Sequence, residues 1–532
     1  MTSKNLTFMN RLPSSDILLI GYEDDENLGL RYIAAFLKKN GVRVKIVPYR
    51  RSARKTILTI VQKEKPRLIG FSLIFQRMVN DFGAVITYLR ENGVTSHFTI
   101  GGHYPTIQYH DVLTAIPGLD TVVRHEGEET LLELYRNVDR PDLWSHVRGI
   151  AFRSNDGVVA TPPRELIADL DSLPFPLRAK KFRDYLGLGM ASVLTSRGCY
   201  YDCSFCSIRR FYSDAPGPMR RSRTPSNVIA ELSELYTKGV RIFNFRDDDF
   251  SMKGKPRQQW IQEFASGLAE KGLSDEILWR ISCRVDEVDP GWMRHLMDAG
   301  LGFLYLGIES GCEQGLKTCN KHYSENDVYQ TLTRLEKADL SFDYGFMLLD
   351  PDTDFTSVKK NLEFLQELGK GGRVSVHFTK MLPYAGTPIE ARLIKEGRLT
   401  GTAASPAYRY GDPRIDLLER FITRSFSHML FDPQGLVYKF QFAQFSSVVL
   451  ERFFSDILDF KSYSRSVKAL TAECNASVLG TLGAAVRFME PRTYEDITRD
   501  WDVLEQLTKK ERNAQVKILA ELDRLTPAGP SL

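Results

Sequence analysis

A chain of 532 residues is long enough for two to four domains. Its 42% of hydrophobic and 26% of charged residues are typical of globular proteins, and they exclude a disordered, collagen-like or disulfide-scaffold chain. The net charge of +4 gives no reason to expect nucleic acid or a membrane as a partner. There is no apolar run of about 18 residues and no secretory leader pattern, so we expect a cytoplasmic protein.

Short apolar runs alternate with amphipathic stretches over residues 16–124. Two of the stretches, Leu28–Lys39 and Val79–Glu91, are typical of helices, and the runs are typical of buried parallel strands. This alternation predicts a doubly wound, Rossmann-like parallel sheet, which binds ligands at the carboxyl ends of its strands. The predicted strands are Asp16–Gly21, Val42–Val47, Arg67–Ser72, Phe98–Gly101 and Thr121–Arg124.

After a predicted hairpin turn at Asn155–Gly157 and a proline-containing linker at Leu170–Arg178, a second β/α series begins near Ala191. Six strand-and-helix units predict a partial (β/α)6 TIM-like barrel, and a mainly helical region follows it, with Asp412–Leu430 and Asp500–Leu525 as its clearest helices. We therefore expect domains over residues 1–145, 191–395 and 396–532, joined by a hairpin and linker over 146–190. The predicted barrel strands are Ser192–Ser196, Arg241–Phe245, Leu278–Cys283, Phe303–Ile308, Phe342–Leu348 and Arg373–Phe378.

The seven cysteines are too few, and odd in number, for a disulfide framework. Cys199, Cys203 and Cys206 lie together after the first predicted barrel strand, with the spacing C-x3-C-x2-C. Three thiolates this close can hold three corners of an iron–sulfur cluster and leave one iron open. The alternatives are three unrelated buried thiols, or a zinc site completed by a remote histidine; no histidine lies between His146 and His295.

The segment TSRGCYYDCSFCSIRRF resembles the radical S-adenosylmethionine superfamily, including Arg197–Gly198 before the first cysteine and Phe205 before the third. The resemblance implies a 4Fe–4S cluster that binds S-adenosylmethionine and cleaves it reductively. The 5′-deoxyadenosyl radical so formed removes hydrogen from a substrate. The three cysteines would then be the catalytic metal ligands.

Later segments resemble the same family. FRDDDF contains Asp247 and Asp248, and ISCRVDE contains Arg284, which the resemblance places near the cofactor carboxylate. LGIESG contains Glu309, expected at the ribose or methionine amine, followed by Ser310. GFMLLDP and LPYAGTPI resemble the strand-five and strand-six motifs.

Each of these positions also has a structural interpretation. The acidic run could be a solvated turn, and Glu309 could form only an ion pair with Arg284. A second group of cysteines, Cys283, Cys312 and Cys319, could bind another cluster, but isolated cysteines on barrel strands are more often core residues.

The N-terminal region resembles the cobalamin-binding domain that precedes many radical enzymes. The similar segments are ENLGLRYIAAFL, GFSLIF, GGHYPT and RHEGEETLLEL. The candidate ligand-binding residues at these sheet ends are Gly101, Gly102, His103, Glu126 and Gly127. His103 and the neighbouring His125 could instead have ordinary polar roles.

The resemblances imply cobalamin-dependent C-methylation of an unactivated carbon in a small molecule, such as a secondary metabolite. The alternative is a dehydration, deoxygenation, epimerisation or rearrangement of a hydroxylated or amino-sugar-like substrate, with the N-terminal domain as a cobalamin-free scaffold. A non-enzymatic iron–sulfur carrier would not need a whole barrel. The basic stretch Arg209–Arg223 could dock a flavodoxin- or ferredoxin-type electron donor, or be a solvated loop.

Overall fold

The computed structural model describes residues 15–250, 253–456 and 459–525 and divides into two compact units. The first unit contains the described residues up to Lys180, together with Ser207–Arg221 and Thr402–Ser405. The second contains Lys181–Cys206, Ser222–Gly401 and the described residues from Pro406 onward. Both units are mixed α/β structures with largely parallel sheets, as the sequence predicts.

The first unit is built on a seven-stranded sheet with the order β2-β1-β3-β4-β5-β6-β7. Its first five strands are parallel, and β6 and β7 add an antiparallel hairpin to the edge. The chain order reverses between β1 and β3, and open α/β sheets bind ligands at such a switch point. The strands are β1 (Ile17–Gly21), β2 (Val44–Pro48), β3 (Leu68–Ser72), β4 (His97–Gly101), β5 (Thr121–Val123), β6 (Ile150–Ser154) and β7 (Gly157–Ala160).

Helices connect these strands, and β1 is buried along its whole length. The predicted helices α1 and α3 are confirmed at both ends, because their apolar faces follow the helical period against the sheet. The helices are α1 (Leu28–Lys39), α2 (Arg54–Glu64), α3 (Val79–Glu91), α4 (His103–Ile107), α5 (Tyr109–Ala115), α6 (Glu128–Arg136) and α7 (Ile208–Ser213).

The second unit contains a seven-stranded sheet with the order β16-β15-β14-β13-β12-β9-β8. Strand β8 is antiparallel to β9, and the other six strands run parallel in chain order, which is consistent with a curled half-barrel. The strands of this sheet are β8 (Arg183–Tyr185), β9 (Leu188–Val193), β12 (Val240–Phe245), β13 (Leu278–Arg284), β14 (Leu301–Glu309), β15 (Ser341–Leu349) and β16 (Thr379–Lys380). Two separate two-stranded sheets are formed by β10 (Ser196–Arg197) with β11 (Arg221–Ser222) and by β17 (Leu399–Thr402) with β18 (Ser405–Tyr408).

Helices follow the strands of this sheet and continue into the C-terminal region. No helix in the described part of the chain is both long and apolar enough to cross a membrane. The helices are α8 (Pro225–Thr237), α9 (Lys255–Glu270), α10 (Pro290–Asp298), α11 (Glu313–Thr318), α12 (Glu325–Lys337), α13 (Phe355–Gly369), α14 (Pro388–Lys395), α15 (Pro413–Phe431), α16 (Leu436–Phe454), α17 (Phe460–Met489), α18 (Tyr494–Arg499) and α19 (Asp502–Leu525).

Helix α16 packs on one face of the second sheet. Its Phe445 and Val449 join an apolar cluster with Ile242, Leu278 and Phe303 from three strands. The Tyr185 hydroxyl donates to the Phe442 carbonyl at 3.0 Å. Because α16 is covered on several sides, its apolar residues do not follow one helical face, and the sequence pattern does not single it out.

Two predicted barrel strands are wrong in position. The first, Ser192–Ser196, is observed at Leu188–Val193. The glycine at the start of this strand is more typical of a linker. Here Gly189 allows a close approach of two strands, since a Cβ at this position would lie 2.7 Å from the Gly239 carbonyl oxygen.

The sixth predicted strand, Arg373–Phe378, is not a strand; β16 follows it at Thr379–Lys380. The backbone groups of residues 374–376 are hydrogen-bonded to side chains and not to a neighbouring strand. Asn475 accepts from the Val376 amide at 2.7 Å and donates to the Val374 carbonyl at 2.9 Å. The Tyr344 hydroxyl donates to the Ser375 carbonyl at 3.2 Å. The alternating apolar pattern of residues 373–378 therefore does not produce a strand, because side chains make the hydrogen bonds that a neighbouring strand would make.

We expect Asn475→Ala to destabilise the second unit. The Asn475 side chain is buried and makes three hydrogen bonds to backbone groups, including a donation to the Gly369 carbonyl at 2.9 Å. Its loss leaves those groups unpaired, and we expect the free energy of unfolding to fall by about 3 kcal/mol. Chemical denaturation measures this change, with the exposed Lys468→Ala on the same helix as the control. Equal stability of the two variants would contradict the assigned role.

Candidate functional site

The three closely spaced cysteines lie on a loop after β9. Cys199, Cys203 and Cys206 are partly exposed, whereas Cys283 and the other described cysteines are buried. Burial, followed by the charges of Asp249 and the other two thiols, raises the pKa of Cys199 to about 12. A metal that binds the Cys199 thiol would have to displace its proton.

Asp247 holds the backbone that leads into this loop. Its Oδ1 accepts hydrogen bonds from the Thr195 amide and hydroxyl, both at 3.0 Å, and from the Ser196 hydroxyl at 2.7 Å. The Ser196 amide also donates to this oxygen. Asp248 accepts from the Gly198 amide at 2.8 Å, directly before Cys199. The alternative of a solvated acidic turn is wrong for Asp247 and Asp249, which are 6% and 4% exposed, whereas Asp248 is exposed.

The rest of the loop is anchored on the segment after α11. The Ser204 amide donates to the Cys319 carbonyl at 3.0 Å. The Asn320 side-chain amide donates to the Asp202 carbonyl at 3.1 Å. In the LPYAGTPI segment, the Ile389 amide donates to the Ser204 carbonyl at 2.9 Å. Segments far apart in the chain thus fix the shape of the cysteine loop.

Arg284 lies beside one of the thiols. Its Nη1 is 3.5 Å from the Cys203 Sγ, and its Nε donates to Asp286 at 2.9 Å. The guanidinium carbon lies 3.6 Å from the centroid of the Tyr201 ring. The alternative interpretation of Glu309, an ion pair with Arg284, is wrong, since each of these side chains pairs with another residue.

Glu309 pairs with Lys321, a residue that the sequence analysis missed. The Lys321 Nζ lies 3.0 Å from the Glu309 Oε1, and both side chains are largely buried. Lys321 Nζ is also 5.4 Å from the centroid of the Phe205 ring. No motif spacing marks Lys321, because it reaches the site from a loop and not from a strand end.

Ser310 lies in the core next to Glu309. It is 1% exposed, and its hydroxyl donates to the Asn361 side-chain oxygen at 3.1 Å. The Gly311 amide donates to the same oxygen at 2.8 Å. These bonds occupy the Ser310 hydroxyl and support the turn that follows Glu309.

The remaining cysteines near the barrel strands are buried. Cys283, Cys312 and Cys319 are 5%, 2% and 1% exposed. Burial raises the pKa of Cys283 and of Cys319 well above the usual range, so these two thiols are neutral. This agrees with the interpretation of these cysteines as core residues.

In the described residues, no three His, Cys, Asp or Glu side chains are grouped so that they could hold a single metal ion. An iron–sulfur cluster places each cysteine on a different iron, so its ligands do not converge on one point. The donor set of three partly exposed thiols on one anchored loop fits such a cluster.

Two histidines lie at the carboxyl edge of the first unit's sheet. The His103 ring packs edge-on against Phe211, with centroids 4.5 Å apart, and burial lowers its pKa to about 4. His125 Nδ1 is 2.7 Å from the Phe211 carbonyl oxygen, and burial lowers the pKa of this ring as well. The buried His125 Nε2 has no hydrogen-bond partner among the described residues. Both rings are therefore neutral, and His125 Nε2 can accept a hydrogen bond from a ligand.

The glycines at this edge pack against protein atoms. Gly102 has a φ of +114°, and a Cβ there would lie 2.3 Å from the Leu73 carbonyl oxygen. A Cβ at Gly101 would lie 3.1 Å from the Val123 carbonyl oxygen. At Gly127 it would lie 2.9 Å from the Ile33 side chain. These glycines therefore let the loops at the strand ends pack closely.

Glu126 and part of the basic stretch form buried ion pairs. The Glu126 Oε2 accepts from Arg221 at 2.9 Å and from the Ile167 amide at 2.8 Å. In the second unit, Arg223 pairs with Glu231 at 2.6 Å, and both side chains are almost fully buried. These two arginines of the Arg209–Arg223 stretch are structural, so the solvated-loop interpretation does not describe the whole stretch.

Two family models match this chain. The model of the B12 binding domain matches residues 21–135, and the model of the radical SAM superfamily matches residues 193–365. The radical SAM domain implies a 4Fe–4S cluster and S-adenosylmethionine as cofactors, and the B12 binding domain implies cobalamin. The match to the radical SAM model contradicts the hypothesis of a zinc site. The match to the B12 binding model contradicts the hypothesis of a cobalamin-free scaffold.

Similar proteins include cyclases and methyltransferases. The chain is 30% identical over 268 residues to the anaerobic magnesium-protoporphyrin IX monomethyl ester cyclase of Cereibacter sphaeroides, and the alignment covers 48% of this chain but only 42% of the cyclase. It is 27% identical over 370 residues to an uncharacterized methyltransferase of Pyrococcus horikoshii, covering 68% of this chain and 77% of that protein.

The fold resembles that of the cobalamin-dependent S-adenosylmethionine radical enzyme OxsB with aqua-cobalamin bound. The TM-score is 0.67 at 15% identity, and the match covers 97% of this chain and 85% of that chain. This likeness concerns the fold. The two family models show that the chain is an enzyme of the radical SAM superfamily and belongs to the branch that carries a cobalamin-binding domain.

Proposed function

We propose that this enzyme methylates an unactivated carbon of a small molecule, such as a secondary metabolite. The observation that carries the proposal is a loop with three partly exposed thiols in a chain that also has a B12 binding domain. When bound, the cluster supplies reductive cleavage of S-adenosylmethionine for hydrogen abstraction, and cobalamin supplies methyl transfer. The named methyltransferase relative supports this reaction.

In this proposal, Cys199, Cys203 and Cys206 would hold the cluster, which would supply an open iron for S-adenosylmethionine. Asp247 and Asp248 act by ordering the loop. We propose that Arg284, Phe205 and Glu309 contact the cofactors. Arg284 lies beside the Cys203 sulfur, and Phe205 lies beside Lys321. Glu309 would bind the ribose or the methionine amine.

For cobalamin, we propose a binding edge formed by the loops of the first unit, whose sheet is taken as Rossmann-like. His103 and His125 present neutral rings, and the unpaired His125 Nε2 would be available to accept a hydrogen bond from bound cobalamin. Gly101, Gly102 and Gly127 allow these loops to pack closely, and Glu126 is held by Arg221. We also propose that the second sheet belongs to a (β/α)6 partial barrel and that the domains end near residues 145, 190 and 395. We propose a flavodoxin- or ferredoxin-type protein as the electron donor.

A second candidate reaction is a radical ring closure, dehydration or rearrangement without methyl transfer. The relative named as a cyclase supports it, although that alignment covers less than half of the cyclase. Both reactions need S-adenosylmethionine cleavage, but only methylation also converts S-adenosylmethionine to S-adenosylhomocysteine. The products therefore separate the two candidates.

Anaerobic holoenzyme, loaded with cluster and hydroxocobalamin and reduced, tests the proposal. We expect it to release 5′-deoxyadenosine and methionine, and to form about one S-adenosylhomocysteine per bound cobalamin before any substrate is added. Mass spectrometry of the quenched mixture measures all three. Release of 5′-deoxyadenosine without S-adenosylhomocysteine would favour the non-methylating reaction. No cleavage by protein with a full cluster would favour an electron carrier.

We expect Cys199→Ala, Cys203→Ala and Cys206→Ala each to abolish cluster assembly and turnover while the chain still folds, because each removes one iron ligand. Iron and sulfide analysis with circular dichroism measures both properties. Cys474→Ala, which removes a buried thiol from α17, is the control and should keep its iron. Full activity in any of the three loop variants would contradict the assignment.

We expect Asp247→Ala to lower the cluster content, because four donors from Thr195 and Ser196 lose their acceptor. The free energy of unfolding should also fall by about 3 kcal/mol. Iron per chain and chemical denaturation measure the two effects. Asp275→Ala, at a side chain that is 97% exposed, is the matched control. An iron content equal to that of the control would show that Asp247 does not order the loop.

A further inference from the structure

A buried lysine lies next to the cysteine loop. Lys321 is 4% exposed, and its Nζ is held 3.0 Å from the Glu309 Oε1. Burying an ammonium is costly unless it is paired, and one carboxylate provides the pair here. A lysine kept charged in this position acts on any neighbouring charge through a poorly screened field.

The backbone on both sides of the pair is strained. Glu309, Asn320 and His322 have φ values of +65°, +55° and +58°, in the left-handed region that non-glycine residues rarely adopt. Such a conformation is unfavourable for a residue with a Cβ and persists only where its surroundings impose it. Asn320 is the usual left-handed residue after a helix end, since the Lys321 amide closes α11 by donating to the Leu316 carbonyl at 3.1 Å. Glu309 and His322 are the unusual cases, and they fix the backbone at the two sides of the ion pair.

The contacts that impose this geometry come from the cysteine loop itself. Asn320 donates to the Asp202 carbonyl at 3.1 Å, and the His322 Nε2 lies 3.0 Å from the Asp202 Oδ1. Asp202 directly precedes Cys203. The Arg284 guanidinium donates to the Lys321 carbonyl and also lies 3.5 Å from the Cys203 Sγ. Lys321 is therefore tied to one particular cluster cysteine.

Two cations therefore lie at the cysteine loop. The Arg284 Nη1 is 3.5 Å from the Cys203 Sγ, and the Lys321 Nζ is 5.4 Å from the centroid of the Phe205 ring, which belongs to the residue directly before Cys206. Burial opposes the charge on Lys321, but Glu309, followed by Tyr323 and Cys203, outweighs it and raises the pKa of this ammonium. Glu309 neutralises part of the field of Lys321. The pair is thus a cation whose effect on Cys203 is adjusted by a carboxylate.

We propose that Lys321 is a positioning residue whose charge, moderated by Glu309, raises the reduction potential of the cluster held at Cys199, Cys203 and Cys206. This inference rests on the proposed function. One electron from an added reductant converts the 2+ cluster to the 1+ cluster, so its charge with three thiolates changes from −1 to −2. A nearby cation stabilises the more negative state and makes the electron easier to add.

The test is an anaerobic redox titration of the reconstituted protein without S-adenosylmethionine, followed by electron paramagnetic resonance of the reduced cluster. In Lys321→Met we expect the ratio of reduced to oxidised cluster at a fixed potential to fall about tenfold, which is a midpoint about 59 mV lower for one electron. Lys321→Arg should restore the midpoint. Glu309→Gln should shift it in the opposite, positive direction, because the cation loses its neutralising partner.

The opposite signs separate an electrostatic role from a structural one, since a packing defect has no reason to reverse with the partner. Lys380→Met is the matched control: it removes another lysine that is ion-paired at 2.8 Å in the same unit, and its midpoint should equal that of the wild type. If Lys321→Met holds no cluster, Glu309→Gln and Lys321→Arg decide. Unchanged midpoints in the cluster-containing variants overturn the inference. Absence of iron from the wild type would instead overturn the proposed function.

Discussion

The candidate site depends on one carboxylate oxygen. Between β10 and α7 the cysteine loop has no regular secondary structure, so a hydrogen-bond ladder does not set its shape. Asp247 Oδ1 instead gathers the amides and hydroxyls of Thr195 and Ser196 at the start of the loop. Asp248 continues the same function at Gly198. Three thiols on a short irregular segment can meet one cluster only if this segment has a single conformation, and these aspartates provide it from the end of β12.

Buried charged side chains lie around the thiols, and their positions are as closely fixed as the conformation of the loop. Buried ion pairs contribute little net stability, because desolvation offsets their attraction. The pairs Arg284–Asp286 and Lys321–Glu309 are nevertheless placed beside the loop, and positive φ values accompany the second. A cluster is an anion with a variable charge, and cations fixed by their own carboxylates can stabilise it without collapsing onto the sulfurs. The site thus keeps buried charges that add little stability but hold cations in fixed positions beside the cysteine loop.

The sequence was sufficient for what depends on local spacing. The helices α1 and α3 could be predicted because the hydrophobic period is a property of short segments. Ligand spacing is equally local, and it marks the three cysteines as the candidate cluster site. Lys321 could not, since its role depends on a loop that returns to the site from a distant turn. The segment 373–378 has a strand-like pattern, but Asn475, a hundred residues later, takes its backbone groups. Non-local side-chain contacts of this kind leave no signal in a window of sequence.

The same sheet face that carries Glu309 is divided into two ends by the C-terminal region. Phe303, Tyr305 and Glu309 share this face, because alternate residues of β14 point to the same side. Helix α16 packs on Phe303 at the amino end, and its Gln441 donates to Asp343 of β15 at 2.8 Å. Tyr305, further along, is 44% exposed. Helix α16 therefore covers the apolar amino end of this face, whereas the end that carries Tyr305 and Glu309 is left free of this helix because its residues are polar.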